Sequence, residues 1–180
     1  MVPNPTHTFL LPDESATAAL GQALADALSA RVAQIQGRGF ALGLSGDLGA
    51  GKTALVRALL RRLGVTGPVK SPTFTLLEPY VVSSLNFYHV DFYRFSSAAS
   101  EGSEEFASAG FRELFAPGNV CAVEWPERAG HRLPTPDLLL TFKVEGDGRA
   151  VSAVANSELG QACLQQAIKT REDSTASGAG

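Results

Sequence analysis

The sequence has few cysteines, no long apolar run and no excess of positive charge. Two cysteines, Cys121 and Cys163, occur in 180 residues, and their spacing matches no zinc or redox motif, which excludes a disulfide framework. No apolar run approaches the roughly 20 residues that a membrane-spanning helix needs. The chain has 15 Lys and Arg against 18 Asp and Glu, a formal net charge of -3. This balance argues against an autonomous nucleic-acid-binding protein.

The N-terminal segment has no basic region followed by an apolar stretch, so no secretory signal is visible. We therefore expect a cytoplasmic protein without membrane attachment. A chain of 18.9 kDa can bury one sizeable core. We expect a single domain over residues 1–170. The segment Arg171–Gly180 is polar and rich in small residues, and it is predicted to be a disordered tail.

Apolar residues in the first third of the chain alternate between helix-like and strand-like spacing. Leucines recur every four residues from Ser15 to about Ala33, which predicts a helix, with Asp13 as a plausible N-cap. Phe40–Leu44 is almost wholly apolar, as expected for a strand buried on both faces of a parallel sheet. Helical spacing returns over Thr53–Leu63. This order is typical of an α/β protein.

Two further apolar runs end in an acidic residue. Phe87–Val90 precedes Asp91, and Val120–Val123 precedes Glu124, so both runs are predicted to be central strands. Carboxyl ends of parallel strands meet at the edge of the sheet where ligands bind. We therefore expect both carboxylates at that edge.

The remaining segments complete the predicted fold. Ser96–Ser103 indicates a loop and Glu104–Leu114 a short helix. Leu138–Val144 and Val151–Ala155 indicate a hairpin, and a last helix is expected from Ser157 to Lys169. The sequence thus predicts a three-layer α/β domain of the P-loop NTPase type, with a mixed, mostly parallel sheet and a C-terminal antiparallel hairpin.

A glycine-rich segment, GDLGAGKT over Gly46–Thr53, fits the phosphate-binding pattern G-x-x-x-x-G-K-S/T at every fixed position. The glycines let successive N–H groups point at phosphates, Lys52 can reach the β- and γ-phosphates, and the Thr53 hydroxyl can ligate Mg²⁺. A merely flexible loop is the alternative, but a strand pattern precedes this segment and a helix pattern follows it. The residues predicted to contact a nucleotide here are Asp47, Leu48, Gly49, Ala50, Gly51, Lys52 and Thr53.

A P-loop needs an acidic partner at the end of a neighbouring strand to hold the metal. Asp91 and Glu124 are both candidates for this role, and sequence alone does not rank them. For either residue taken singly, an ordinary carboxylate at a strand end is the alternative. Two such acids in a chain with a P-loop make it improbable that both are bystanders.

The segment Lys70–Thr75, KSPTFT, precedes the Asp91 strand. Pro72 restricts the residue before it, and the Thr73 and Thr75 hydroxyls lie where P-loop hydrolases often have a switch that senses the γ-phosphate. By its motif alone the segment is better explained as a plain Ser/Thr turn.

Four other residues have an ordinary structural explanation beside a functional one. His89 is more typical of a core or edge histidine than of a base. Trp125 is expected either to shape a contact surface or to cap the core, and Arg94 either to face phosphate or to form a salt bridge. Cys121 is best explained as a small buried apolar residue.

Taken together, four segments are specific to one family. They are GDLGAGKT, VKSPTFTLLEPY, YHVDFYR and EWPER, in this order, and the opening LPDESAT agrees with them. The chain closely resembles the TsaE (YjeE-type) family of bacterial P-loop ATPases from about Leu10 to Ala155. The P-loop alone would not select this family.

The resemblance implies a role in making threonylcarbamoyladenosine at adenosine 37 of tRNAs that read ANN codons. In that family the ATPase acts with the TsaD–TsaB complex, hydrolyses ATP with Mg²⁺ so that the transferase turns over repeatedly, and does not transfer the group itself. The tRNA is then reached through the partners. By position, Lys52 and the P-loop amides would hold phosphates, and Thr53 and Glu124 would bind Mg²⁺. Asp91 would be a catalytic or metal-supporting acid. Thr73 would belong to the switch-like segment, Lys70–Thr75, and Leu11 to Asp13 would lie near the adenine.

The hypothesis for the reaction is in-line attack of water on the γ-phosphate. No sure arginine finger is visible, which fits slow hydrolysis that a partner accelerates. Three alternatives share the P-loop. A small-molecule kinase would use Glu127–Arg132 as a basic lid, a GTPase is disfavoured because no Asn-Lys-x-Asp segment exists, and a nucleotide-gated binding module would need no hydrolysis.

Overall fold

A computed structural model describes residues 6–82, 84–94 and 110–177, with side chains as far as Ser174. Strands and helices alternate along most of this length. The strands are β1 (Thr6–Leu11), β2 (Phe40–Gly46), β3 (Leu77–Val82), β4 (Leu85–Asp91), β5 (Asn119–Glu124), β6 (Leu138–Glu145) and β7 (Gly148–Ala155). The α-helices are α1 (Glu14–Ser29), α2 (Val32–Arg38), α3 (Lys52–Arg62), α4 (Pro126–Ala129) and α5 (Glu158–Ser177), with 3₁₀ turns at Phe111–Phe115 and Gly130–Arg132.

The strands form one seven-stranded sheet in the order β1-β7-β6-β2-β5-β4-β3. The central strands β6, β2, β5 and β4 are parallel to their neighbours within this group. Antiparallel β3 lies at one edge, and β7 and β1 continue the sheet at the other. The predicted mixed sheet with a parallel core and a C-terminal hairpin is therefore confirmed.

The sheet buries apolar side chains on both faces. On one face α1, α3 and α5 pack over a large core that includes Leu20, Leu59 and Leu164. On the other face a smaller cluster around Phe92, Phe111 and other apolar side chains lies beneath the 3₁₀ turn and α4. All six residues of β5 are buried, because this strand lies between two strands and two packed faces.

Helix α1 begins where the sequence places its cap. The Asp13 carboxylate accepts hydrogen bonds from the Ala16 amide at 2.8 Å and from the Ser15 hydroxyl at 2.7 Å. These contacts, that of Ser15 first, lower the pKa of Asp13. The helix ends at Ser29, and α2 follows after a short turn, so the single helix predicted from Ser15 to about Ala33 is in fact two helices.

The edge strand β3 was not predicted from the sequence. It contains Pro79, which removes a backbone donor and weakens the strand pattern. An edge strand tolerates proline because one side of its backbone needs no partner.

The C-terminal prediction needs a correction. Helix α5 runs to Ser177, so residues 171–177 are helical where the sequence predicted a disordered tail. Arg171 donates a hydrogen bond to the Ala16 carbonyl at 2.8 Å, and its guanidinium lies 5.9 Å from the centre of the Phe9 ring. These contacts tie the last turns of α5 to α1 and β1.

Some predicted elements fall outside the described residues. The loop predicted at Ser96–Ser103 and most of the helix predicted at Glu104–Leu114 belong to this group; the 3₁₀ turn at Phe111–Phe115 overlaps the end of that helix. None of the helices in the described parts of the chain is long and apolar enough to cross a membrane.

Candidate nucleotide-binding site

The P-loop joins β2 to α3 at the carboxyl edge of the sheet. Three of its glycines have positive φ angles: 126° at Gly46, 76° at Gly49 and 108° at Gly51. Residues with a Cβ rarely adopt such angles, so glycine is required for this course of the backbone. Helix α3 starts directly after the loop, and its free N–H groups and dipole favour an anion at this point.

Lys52 is buried and folds back onto its own loop. Its Nζ donates hydrogen bonds to the carbonyls of Gly46 at 2.6 Å and Asp47 at 2.8 Å, and it lies 4.1 Å from the centre of the Trp125 ring. Burial lowers the pKa of Lys52, while nearby carboxylates, Glu124 foremost, act in the opposite direction. The Lys52 ammonium thus lies at the loop, and phosphate oxygens can replace the two carbonyls as acceptors of its hydrogen bonds.

Glu124, the last residue of β5, is joined to the P-loop helix. Its Oε1 accepts a hydrogen bond from the Thr53 hydroxyl at 2.7 Å. The same oxygen lies 2.8 Å from Nε2 of His89, which is fully buried on β4. A carboxylate only accepts, so Nε2 carries the proton in this contact. His89 Nδ1 has no hydrogen-bond partner among the described residues.

Asp91, the last residue of β4, pairs in register with Glu124 but has different contacts. Its Oδ2 accepts from the Ser71 hydroxyl at 2.5 Å and the Thr73 hydroxyl at 2.9 Å, and its Oδ1 accepts from the Tyr93 amide at 2.8 Å. The carboxylate therefore holds the Lys70–Thr75 segment against the strand end. The two acids lie side by side with different neighbours.

An aromatic cluster borders Lys52. Trp125 follows Glu124 with a φ angle of 59°, and its ring lies 5.4 Å from that of Tyr93. The Arg128 guanidinium lies 5.0 Å from the centres of both rings and donates to the Tyr93 carbonyl. Trp125 therefore contacts the P-loop lysine and does not only cap the core.

The segment Leu11–Asp13 lies at the same edge of the sheet. Leu11 is buried and pairs with Arg149 of β7, whose Nε donates to the Ala50 carbonyl of the P-loop at 2.8 Å. This chain of contacts places the segment beside the P-loop. The Asp13 carboxylate is occupied by the cap of α1.

Several predicted residues lie at the rim of the site. Leu48, at the tip of the P-loop, and Phe74 are 70% and 84% exposed. Thr75 donates to Glu78 and does not contact Asp91 in the way that Thr73 does. Arg94 lies over the Phe74 ring at 4.3 Å and forms no salt bridge among the described residues.

The oxygen atoms at the strand ends suit a hard divalent cation. Within residues 6–82, 84–94 and 110–177 no three His, Cys, Asp or Glu side chains form a metal-binding group. The available donors are instead one hydroxyl, that of Thr53, and one carboxylate, that of Glu124, in direct contact. Mg²⁺ is usually held by one or two carboxylates together with substrate phosphates, so this sparse set fits it.

Most of the chain matches the model of one known protein family. Residues 11–151 match the family model of TsaE, described as threonylcarbamoyl adenosine biosynthesis protein TsaE. The chain belongs to the TsaE family.

Curated TsaE proteins from different bacteria resemble the chain over most of its length. The tRNA threonylcarbamoyladenosine biosynthesis protein TsaE of Haemophilus influenzae is 34% identical over 154 residues, which are 86% of this chain and 92% of that protein. The TsaE of Synechocystis is 43% identical over 122 residues, 67% of this chain and 70% of that one. A crystal structure of YdiB from Bacillus subtilis matches with a TM-score of 0.73 and 25% identity, covering 94% of this chain and 98% of that chain.

Three residues of this TsaE site were missed or undervalued from the sequence. Ser71 contacts Asp91 more closely than Thr73 does, and its place in the SPT turn was the available signal. His89 contacts Glu124, and only its position two residues before Asp91 hinted at this. Arg149 reaches the P-loop from β7, and no motif indicated it.

Proposed function

We propose that this TsaE protein is a Mg²⁺-dependent ATPase required for the threonylcarbamoyladenosine modification of adenosine 37 in tRNAs that read ANN codons. It acts with the TsaD–TsaB complex and is not the transferase. One observation carries the proposal. The Thr53 hydroxyl and Lys52 of the P-loop lie beside two strand-end carboxylates with different contacts, Glu124 and Asp91.

The phosphates of ATP bind at the P-loop. The amides of the loop and the first turn of α3 donate to them, and Lys52 exchanges the carbonyls of Gly46 and Asp47 for phosphate oxygens. This exchange replaces neutral acceptors by charged ones, and charge-assisted hydrogen bonds are the stronger kind. Leu11 and Asp13 lie towards the adenine, where the N-terminal segment comes close to the loop.

Thr53 and Glu124 would hold a magnesium ion, which would supply positive charge to offset the charge of the bound phosphates. The Thr53 hydroxyl and Glu124 Oε1 are 2.7 Å apart, so both can serve one ion. His89 Nε2 contacts the same carboxylate oxygen at 2.8 Å. Its hydrogen bond limits the rotation of the Glu124 side chain, which lowers the entropy lost on metal binding.

Asp91 and Thr73 orient the attacking water. Asp91 is buried at a strand end and already accepts from two hydroxyls of the switch-like segment, Ser71 and Thr73. A water that enters between Thr73 and the γ-phosphate can donate to this carboxylate in place of a hydroxyl. Asp91 then acts as the general base or aligns the water for in-line attack.

A partner completes the site. The arginines near the site in the described part of the chain already have contacts within the chain. Arg128 contacts Tyr93 and Trp125, Arg94 lies over Phe74, and Arg149 donates to the Ala50 carbonyl. Hydrolysis by the chain alone is therefore slow, and the TsaD–TsaB complex accelerates it. With a net charge of -3, the chain leaves contact with tRNA to these partners.

ATP turnover measured with and without TsaD–TsaB tests the proposal. We expect slow Mg²⁺-dependent hydrolysis by the chain alone and clear acceleration by the complex. Equal rates would contradict partner activation, and phosphoryl transfer to a small metabolite would favour a kinase. Tighter binding of GTP than of ATP would contradict the choice of nucleotide.

A further inference from the structure

Arg149 brings the C-terminal hairpin into contact with the P-loop. The strand β6 is parallel to β2, so the turn after β6 lies at the same edge of the sheet as the P-loop. Arg149 is the second residue of β7, directly after this turn, and pairs in register with Leu11 of β1. The fold thus places a cation from a distant part of the sequence beside the candidate nucleotide site.

The contact between Arg149 and the loop is close and specific. Its Nε donates to the Ala50 carbonyl at 2.8 Å. A Cβ built on Gly51 would lie 2.9 Å from the same nitrogen. Gly51 is therefore required by its φ angle of 108°, whereas the end of the flexible Arg149 side chain could shift to make room for a Cβ.

The orientation of the Ala50 peptide matters for phosphate binding. In a P-loop the N–H groups point towards the anion, so the carbonyls point away from it and need other hydrogen-bond donors. Arg149 supplies such a donor to one of these carbonyls. A guanidinium is planar and has five N–H groups, so it can hold a carbonyl in a fixed direction.

Within the described part of the chain, the Arg149 guanidinium has no acidic partner. No salt bridge among these residues involves Arg149, although the exposed Arg38 and Arg62 each pair with an aspartate. The positive charge of Arg149 is therefore not neutralised by a carboxylate beside the loop. The phosphates of a nucleotide bound at the loop would therefore be attracted by the positive charge of Arg149.

We propose that Arg149 is a positioning residue of the nucleotide site, which holds the P-loop in its phosphate-binding shape through the Ala50 carbonyl. The inference rests on the proposed binding of nucleotide. It extends the site to β7, outside the segments that mark the family in this sequence. Its effect falls on the polyphosphate part of the ligand, because the contact is with the loop.

The test compares variants of the full chain. Arg149→Met removes the donor and the charge and keeps much of the side-chain volume, and Arg149→Lys keeps both a donor and the charge. Arg31→Met is the matched control, since Arg31 is also half-buried and donates to helix carbonyls, those of Ala27 at 2.8 Å and Ala162 at 2.9 Å. Arg31 lies at the start of α2, at the opposite end of α1 from Leu11.

Dissociation constants are measured for ADP and for inorganic tripolyphosphate, with the fluorescence of the single tryptophan, Trp125, as the signal. We expect Arg149→Met to raise both constants by the same factor, about tenfold, the size expected from loss of one hydrogen bond to a well-ordered group. Arg149→Lys should recover most of the affinity. Arg31→Met should leave both constants unchanged, whatever its effect on thermal unfolding.

Three results would overturn the inference. Unchanged constants for Arg149→Met would remove the positioning role, and weaker ADP binding with unchanged tripolyphosphate binding would assign Arg149 to the base or ribose. An equal loss of affinity in Arg31→Met would mean that the effect of Arg149→Met comes from lower overall stability and not from the P-loop contact. If the unmodified chain binds neither ligand, the proposed function fails and the inference with it, whereas the first three results leave the proposed function intact.

Discussion

Thr53 and Glu124 are joined by a 2.7 Å hydrogen bond that links the first turn of α3 to the last residue of β5. This bond connects the P-loop to the strand that carries the candidate metal ligand. It also shows that the two oxygen atoms are close enough to serve the same ion. His89 contacts the same carboxylate oxygen, so Glu124 is held both from α3 and from β4.

Glu124→Gln should separate metal binding from nucleotide binding. The substitution keeps the size of the side chain but removes the charge that attracts Mg²⁺, so we expect ATP turnover to fall by about 100-fold. Binding of ADP without Mg²⁺ should change less than about threefold, because Lys52 and the loop amides remain. Steady-state hydrolysis of ATP measures the turnover, and titration with ADP in the presence and absence of Mg²⁺ measures binding. Turnover within a factor of two of the original would remove Glu124 from the metal site.

Asp91→Asn should impair hydrolysis without loss of ATP binding. The amide keeps an acceptor for Ser71 or Thr73 but cannot take a proton from water, and loss of a general base typically costs about 10²–10⁴-fold. Single-turnover hydrolysis of ATP measures the chemical step. Ser71→Ala is the matched control, since it removes one contact of Asp91 and leaves the carboxylate. A larger loss in Ser71→Ala than in Asp91→Asn would assign the switch-like segment, and not the acid, to catalysis.

The two thiols should be unreactive in the folded protein. Burial raises the pKa of Cys163 to about 12, and burial also raises the pKa of Cys121. At pH 8, below these pKa values, the reactive thiolate is almost absent. Alkylation with iodoacetamide followed by mass spectrometry should label neither thiol until the protein is unfolded in guanidinium. Rapid labelling of the native protein at either position would contradict the buried placement.

Two glycines should respond to alanine in opposite directions. A Cβ on Gly160 of α5 would lie 1.9 Å from the Asp137 carbonyl oxygen, so Gly160→Ala should lower the free energy of unfolding by about 3 kcal/mol. Gly37 lies within α2 and its Cβ would meet no atom within 4 Å. Gly37→Ala should raise the free energy of unfolding by about 0.5–1 kcal/mol. Urea denaturation measures both, and equal effects would contradict the packing of α5 against the start of β6.

The parts of the fold that could be predicted depend on local pattern. The P-loop was predictable because its glycines and lysine occupy fixed positions in the sequence, and this pattern is associated with one loop conformation. The edge location of Asp91 and Glu124 was predictable because each follows an apolar run, and parallel strands end at one edge.

The parts that could not be predicted depend on contacts between distant segments. The contact of Glu124 with His89 spans 35 positions, and that of Arg149 with Ala50 spans 99. The position of His89 two residues before Asp91 gives only a hint of its contact, and the sequence around Arg149 gives none. The helical end of α5 could not be predicted for the same reason, because Arg171 donates to an acceptor in α1 that lies 155 positions away.

In the proposed function, hydrolysis at this site lets the transferase turn over repeatedly. The most direct measurement is the amount of threonylcarbamoyladenosine formed per TsaD–TsaB complex with excess tRNA and threonylcarbamoyl donor. The assay is run with this chain and ATP, with a non-hydrolysable ATP analogue, and with Asp91→Asn. We predict many turnovers with ATP and about one turnover or fewer in the other two reactions. Sustained turnover without hydrolysis would contradict the ATPase account and identify the chain as a nucleotide-gated binding module.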